Sequence, residues 1–428
     1  MGSGEQVAAG SRAGQRVRSV HSRAGQQIGG VQSLEGQRVG RVHALDGLRG
    51  LAAVVVVLHH ALLASAPSLA SVYGAAPPSS LRTVEWLLAY TPLHIVWAGQ
   101  EFVVVFFVLS GFVLSLPAVH GKRQPVASYY PSRLLRLYVP VWGALGFAAI
   151  VHVAVRHRML DGASFWLNNH SQALTLAGLT REATLLTGAG DWAFTTVLWS
   201  LRWEVVFSLA LPLLLWAMVR MRPRFSWLVV IFCTLALLGR GSNEYLLELP
   251  PFLLGMVMAF SLKHIERVKE LLRPRTIRNR AIEFAIVGAC VSGLTADWWV
   301  TNSPNSALLI CAGACLAVFA ALVVGWLQRP LESRPLQWTG KRSYSLYLVH
   351  EPIVVALAFA AGGNPVVAVF VPVALLASLL AAAGFFGAVE RPSHGFARRV
   401  GASCYRLSRG GRRGLATRTP VQARTDTG

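Results

Sequence analysis

The chain has 428 residues, of which 54% are hydrophobic and 14% charged, whereas a water-soluble domain carries about a quarter charged residues. Its formal net charge is +21, with 40 Lys and Arg against 19 Asp and Glu, yet the basic residues lie between apolar runs and in the two tails. That placement, with a mean hydropathy of +0.49, excludes a nucleic-acid-binding surface and predicts an all-α polytopic membrane protein embedded in a lipid bilayer.

Residues 1–40 are rich in Gly, Ser, Gln and Arg without an apolar period, so they are expected to form a disordered basic N-terminal tail. The tail lacks the compact apolar region and cleavage site of a signal peptide, and the first span is expected to persist in the mature chain. That span is LDGLRGLAAVVVVLHHALL, Leu45 to Leu63, long enough to cross a bilayer. Arg49 and His60 are eleven residues apart, close to three full turns, so they share one helix face about 16 Å apart along the axis. His59 lies roughly 80° off that face. An Asp46–Arg49 helix pair of purely structural use is the plainer reading of that arginine.

Nine further spans follow, giving about ten transmembrane helices at roughly 44–64, 93–116, 138–155, 196–219, 225–240, 245–262, 281–296, 306–327, 343–361 and 365–389. The loops set the orientation. Lys122, Arg133, Arg136, Arg220, Arg222, Arg224, the basic run from Lys263 to Arg280, Arg329, Arg334, Lys341 and Arg342 fall on one side. Few basic residues, among them Arg156, Arg158 and Arg181, fall on the other. The positive-inside bias then places both termini in the cytoplasm and makes the chain a multi-pass protein of the cell membrane. Two long outer loops, Ser65 to Pro92 and His157 to Phe194, the second with Trp166, Asn168, Asn169 and Trp192, are either functional or an irregular cap. The five cysteines lack paired spacing and read as small buried hydrophobes, and no metal site is expected.

Ionisable groups inside apolar spans are costly and need partners. His60, Glu101 and Glu204 fall at broadly similar depth on three spans, and two carboxylates with an imidazole at one level could form an acid–base centre. Towards the inner side lie Arg49, Arg133 and Arg136, whose forked donors suit phosphates; Arg133 and Arg136 are equally readable as snorkelling anchors. Ser343, Tyr347 and His350 share one face of the ninth span, and a hydrogen-bonded core histidine is the alternative for His350. A phosphate-rich head near Arg49 and a reactive end near His60 match acyl-coenzyme A, with no tightly bound cofactor. His60 would then act as general base or become acylated itself, two routes the residues do not separate.

The chain resembles the acyltransferase family 3 membrane proteins, which O-acylate glycans, lipids and antibiotics. The resemblance is carried by LDGLRGLAAVVVVLHH, EFVVVFFVLSGFVLS, YYPSRLLRLYVP, LWSLRWE, PPFLLGMVMA, GKRSYSLYLVHEP and the closing VERP. It implies a transmembrane acyltransferase domain over 41–393, His60 as the essential histidine and Arg49 holding the acyl-CoA donor, acetyl-CoA being the expected one. It also implies recurring polar roles for Arg133, Arg136, Glu204, Tyr344 and His350, and Glu101 and Ser110 lie in the matching EFVVVFFVLSGFVLS segment. Many relatives carry a further extracytoplasmic domain; here a basic cytoplasmic tail, 394–428, follows. The expectation is a stand-alone enzyme acting on a hydroxyl of a carbohydrate, glycolipid or secondary metabolite, or one that hands the acyl group to a separate extracytoplasmic transferase. The competing class is a transporter or flippase using the same buried charges as a relay.

Overall fold

The computed structural model describes residues 43–73, 83–122, 124–185, 194–239, 244–273, 276–299 and 305–416. The expected N-terminal tail, Trp192 and the last residues of the C-terminal tail lie outside them. All regular secondary structure among the described residues is helical. The main helices are α1 His43–Ser65, α2 Gly99–Val119, α3 Val126–Ala154, α4 Leu198–Met221, α5 Arg224–Leu238 and α6 Glu244–Phe260. They continue as α7 Ile277–Leu294, α8 Asn305–Val323, α9 Ser343–Ala360, α10 Val367–Phe385 and α11 Arg391–Ala416.

Among the described residues, seven helices are long and apolar enough to cross a membrane: α1, α2, α3, α4, α8, α9 and α10 with its continuation. The chain is a membrane protein. Each of the ten expected spans has a helix, but α5, α6 and α7 fall short. At 15 residues, α5 extends only about 22 Å, against a hydrocarbon core of about 30 Å. α6 carries Pro250 and Pro251, and α7 begins with Arg278, Arg280 and Glu283.

Glycines set how closely the helices approach. A Cβ on Gly111 of α2 would stand 2.0 Å from the Phe252 carbonyl oxygen, and one on Gly255 of α6 would stand 2.1 Å from that of Val108. The α2–α6 seam is therefore backbone on backbone, which only glycine permits. The same device seats α1 on the short helix Arg334–Lys341, where a Cβ on Gly340 would meet the Asp46 carbonyl oxygen at 2.0 Å.

α9 and α1 are the most enclosed of the long helices, with 78% and 67% of their apolar windows buried, against 22% for α10. The two helices that carry His350 and His60 are thus the axis of the bundle. α10 passes through a π-helical turn, Phe386–Glu390, into α11, which packs along α3. The basic tail accordingly begins as a helix.

Candidate active site

His60 and His350 meet at the centre of the bundle. Nδ1 of His350 lies 2.9 Å from the Leu346 carbonyl oxygen, and its Nε2 lies 3.0 Å from Nδ1 of His60. A carbonyl only accepts, so His350 donates from Nδ1 and its Nε2 is the acceptor. His60 must then donate from Nδ1, which also lies 3.1 Å from the Val56 carbonyl oxygen. Nε2 of His60 is left with its lone pair, in the tautomer assigned by this network. The ring of Trp166 packs against that of His60, centroids 5.3 Å apart.

Next to His350 lies Glu351, fully buried. Its carboxylate accepts from His170 Nε2 at 2.8 Å, the Thr196 amide at 3.0 Å, the Thr196 hydroxyl at 2.6 Å and the Val197 amide at 2.9 Å. His170 donates its other proton to the Trp166 carbonyl oxygen at 2.9 Å, so its ring is set to donate twice. Glu351 thereby fastens α9 to the approach to α4 and to the loop helix Phe165–Asn169, which presents Trp166 to His60. Asn168 tightens that loop with a pair of hydrogen bonds to the Leu160 backbone.

A narrow cavity of about 50 Å³ is lined by Arg49, Ser110, Ser200, Glu204, Tyr344 and Tyr347, with neither histidine in its wall. The Tyr347 ring lies 6.0 Å from that of His350, and its hydroxyl lies 3.0 Å from the Val197 carbonyl oxygen and 2.7 Å from the Ser200 hydroxyl. Tyr344 donates to the Leu137 carbonyl oxygen at 3.0 Å. Glu204 accepts from Arg133 at 2.6 Å and from Ser110 at 3.2 Å, while Nε of Arg133 donates to Ser208 at 3.0 Å. Nε of Arg49 is buried and carries no hydrogen bond. The side chain as a whole is half-buried, and a guanidinium with a free Nε–H suits an incoming anion. Asp46 interacts with Arg49 through charge rather than through a hydrogen bond, and Arg136 is exposed near Glu390 and Arg398. One to two turns from this cavity, α2, α3 and α4 bound a larger cleft of about 700 Å³ with Lys122 and Arg220 on its rim and Tyr129 in its wall.

The level arrangement of His60, Glu101 and Glu204 expected from depth does not form. Glu204 faces Arg133, and Glu101 lies on the far side of His59, 3.6 Å from His94. Equal depth on three helices says nothing of which way each helix turns its face. The carboxylate that does stand by the histidine pair is Glu351. Its signal was the acidic residue in LVHEP, an intramembrane carboxylate next to His350. His170 had no comparable signal, since it reaches the site from a loop. All five cysteines are free.

These features define a helical membrane protein with a base-like histidine at its centre and an arginine, its Nε free of hydrogen bonds, in the wall of a nearby cavity. A family model described as an acyltransferase domain matches residues 42–387, and the chain belongs to that family, acyltransferase family 3. Among curated proteins, acyltransferase MdmB of Streptomyces mycarofaciens is 26% identical over 288 residues, covering 61% of this chain and 70% of the relative. No solved structure matches.

Proposed function

We propose that this membrane acyltransferase moves an acyl group, acetyl in the simplest case, from acyl-coenzyme A to a hydroxyl of a carbohydrate, glycolipid or secondary metabolite. The observation that carries the reading is the His350–His60 hydrogen bond. It leaves Nε2 of His60 as a free base, while Arg49, whose Nε has no hydrogen-bond partner, lines a cavity together with Tyr347, the ring neighbour of His350.

In this reading Nε2 of His60 takes the proton of the acceptor hydroxyl while the oxygen attacks the thioester carbonyl. The carbon–sulfur bond breaks, the proton passes to the leaving thiolate, and the products are an ester and free coenzyme A. His350 and Val56 hold Nδ1 of the imidazolium through the transfer. Arg49 takes a donor phosphate, with Arg133 held in place by Glu204 and Ser208. The donor comes by way of the cleft rimmed by Lys122 and Arg220. The cavity must widen to admit the pantetheine arm, since about 50 Å³ holds only water-sized groups.

The basic-residue bias supports ten crossings of the cell membrane with both ends in the cytoplasm, the shorter helices α5, α6 and α7 included. The donor then enters from the cytoplasm and His60 serves an acceptor on the outer side.

Purified wild-type and His60→Ala protein, incubated with acetyl-coenzyme A and an extract of envelope glycans and small metabolites, test this. Thiol release by the wild type alone, with a mass gain in one component of the extract, is expected. Equal release by both proteins overturns the role of His60.

A further inference from the structure

On the other side of His59 from the catalytic pair, five aromatic rings close around Glu101. Ring centroids lie 4.2 Å apart for His94 and Trp298, 5.0 Å for His94 and Trp97, 5.4 Å for Tyr73 and Trp298, and 5.3 Å for His59 and Tyr73. Glu101 is 4% exposed and His94 is fully buried. Yet Oε2 of Glu101, both ring nitrogens of His94, the Tyr73 hydroxyl and Nε1 of Trp298 all lack a hydrogen-bond partner. The nearest approach, 3.6 Å between His94 and Glu101, is too long for one. Five orphaned polar atoms in one buried cluster are far from the usual condition of a protein interior.

The cluster combines a carboxylate with electron-rich ring faces; among the described residues no lysine or arginine pairs with Glu101, and its nearest basic group is the His94 imidazole at 3.6 Å. Burial and the Glu101 charge keep the Tyr73 hydroxyl well above its ordinary range, so it stays a neutral phenol. Asp297 adds a second acidic charge near Tyr73. An anion has nothing to bind here. A neutral polyol would leave the carboxylate charge uncompensated. A protonated amine meets both needs: its charge sits against aromatic faces and the carboxylate, and its N–H groups reach acceptors. Trp298 is also a wall of an open cleft of about 320 Å³, lined further by Tyr90, Ser292 and Thr295, so this ring separates the box from the surface.

We propose that this aromatic box binds the protonated amine of the acceptor, making the acceptor an amino alcohol or amino sugar whose hydroxyl extends past His59 to His60. The His59 and His60 rings are 5.2 Å apart, edge to face, so the box adjoins the catalytic pair through His59. The assignment of the ligand as acceptor rests on the acyl-transfer reading above.

Calorimetric titration of the purified protein with ethanolamine, choline and glucosamine, against glycerol and glucose as neutral counterparts, tests the box directly. Glu101→Gln and Trp298→Ala are the variants. The ammonium probes are expected to bind at least about tenfold more tightly than the neutral ones, and each variant to lose about that factor. Retained acyl-coenzyme A binding shows that the variants are folded. Equal affinity for charged and neutral probes, no binding of any ammonium probe, or affinity unchanged in both folded variants overturns the proposal. Ammonium binding that survives while the wild-type protein releases no coenzyme A from acetyl-coenzyme A and leaves the mass of every acceptor unchanged would instead sink the acyl-transfer reading and leave the box standing.

Discussion

Nδ1 of His60 donates to Nε2 of His350 across 3.0 Å, and His350 in turn donates to the carbonyl oxygen of Leu346. This two-step chain decides which nitrogen of His60 is free, and with it the direction from which an acceptor must approach. His350→Ala removes the acceptor for His60 Nδ1 and leaves Val56 as its only hold. Turnover is expected to fall by about two orders of magnitude, within the range a general base contributes, with little change in the Michaelis constant for the donor. Steady-state kinetics against both substrates check this; a donor constant that rises in step with the loss of turnover argues for a binding role instead.

Arg49→Ala should raise the apparent Michaelis constant for acyl-coenzyme A by about tenfold or more, as expected for loss of one charge-assisted phosphate contact. The constant for the acceptor should hold. Arg49→Lys should recover only part of the loss, because an ammonium cannot reproduce a forked contact. Kinetics in which the acceptor constant moves and the donor constant does not would remove Arg49 from the donor site.

Glu351 accepts four hydrogen bonds while fully buried. Glu351→Ala leaves His170, Thr196 and the Val197 amide without their acceptor, and the loss is expected to be about 3 kcal/mol, as when one side of a buried pair is removed. A thermal-shift measurement in detergent reads it. His170→Ala should be destabilising in the same direction, and the double variant should cost less than the sum of the two. Additive losses would show that the two residues act separately.

His157 lies beyond the end of α3, stacked on Phe359 and beside His152. Burial and its histidine neighbours push it down to about 4. A depressed histidine stabilises the fold above its ordinary value of 6.5, and that contribution is lost as pH falls from there towards 4. Wild-type melting temperature should therefore drop between pH 7 and pH 5, and His157→Phe should flatten the drop while keeping the stack on Phe359. Parallel pH profiles for the two proteins would exclude His157 as the source.

A glycine seam makes a sharper structural test. Gly111→Leu and Gly255→Val each push a side chain into the facing backbone of the α2–α6 contact, where overpacking costs about 1–3 kcal/mol or more. Size-exclusion profiles are expected to show loss of the monodisperse folded protein. Gly146→Ala, on an exposed face of α3 with open space around it, should be neutral.

Much of this was readable from residue order. Apolar runs located the helices, and the eleven-residue spacing singled out Arg49 and His60, because periodicity within one helix is a local property. The partners of those residues were not local. Glu101 and Glu204 have the right depth, yet one turns towards His94 and the other towards Arg133, since a helix's rotation is fixed by its neighbours. Trp166 and His170 come from a loop with no apolar period. Glu351 stood in the sequence as the acid of LVHEP, but its four donors come from two distant segments of chain, His170 and Thr196 with Val197. The short reach of α5 was legible in the fifth apolar run, 225–240, because Gly239 ends that helix just where the apolar composition ends.

The chain that orients His60 starts at the main-chain oxygen of Leu346. A carbonyl has no side chain to exchange and no proton to gain or lose in the working range of the enzyme, so the polarity of the relay is inherited from the helical backbone of α9. Substitutions around the acceptor pocket can therefore reshape what is accepted without rotating the base. Only a change that distorts α9 itself, such as a proline introduced near Leu346, would reverse which nitrogen faces the substrate.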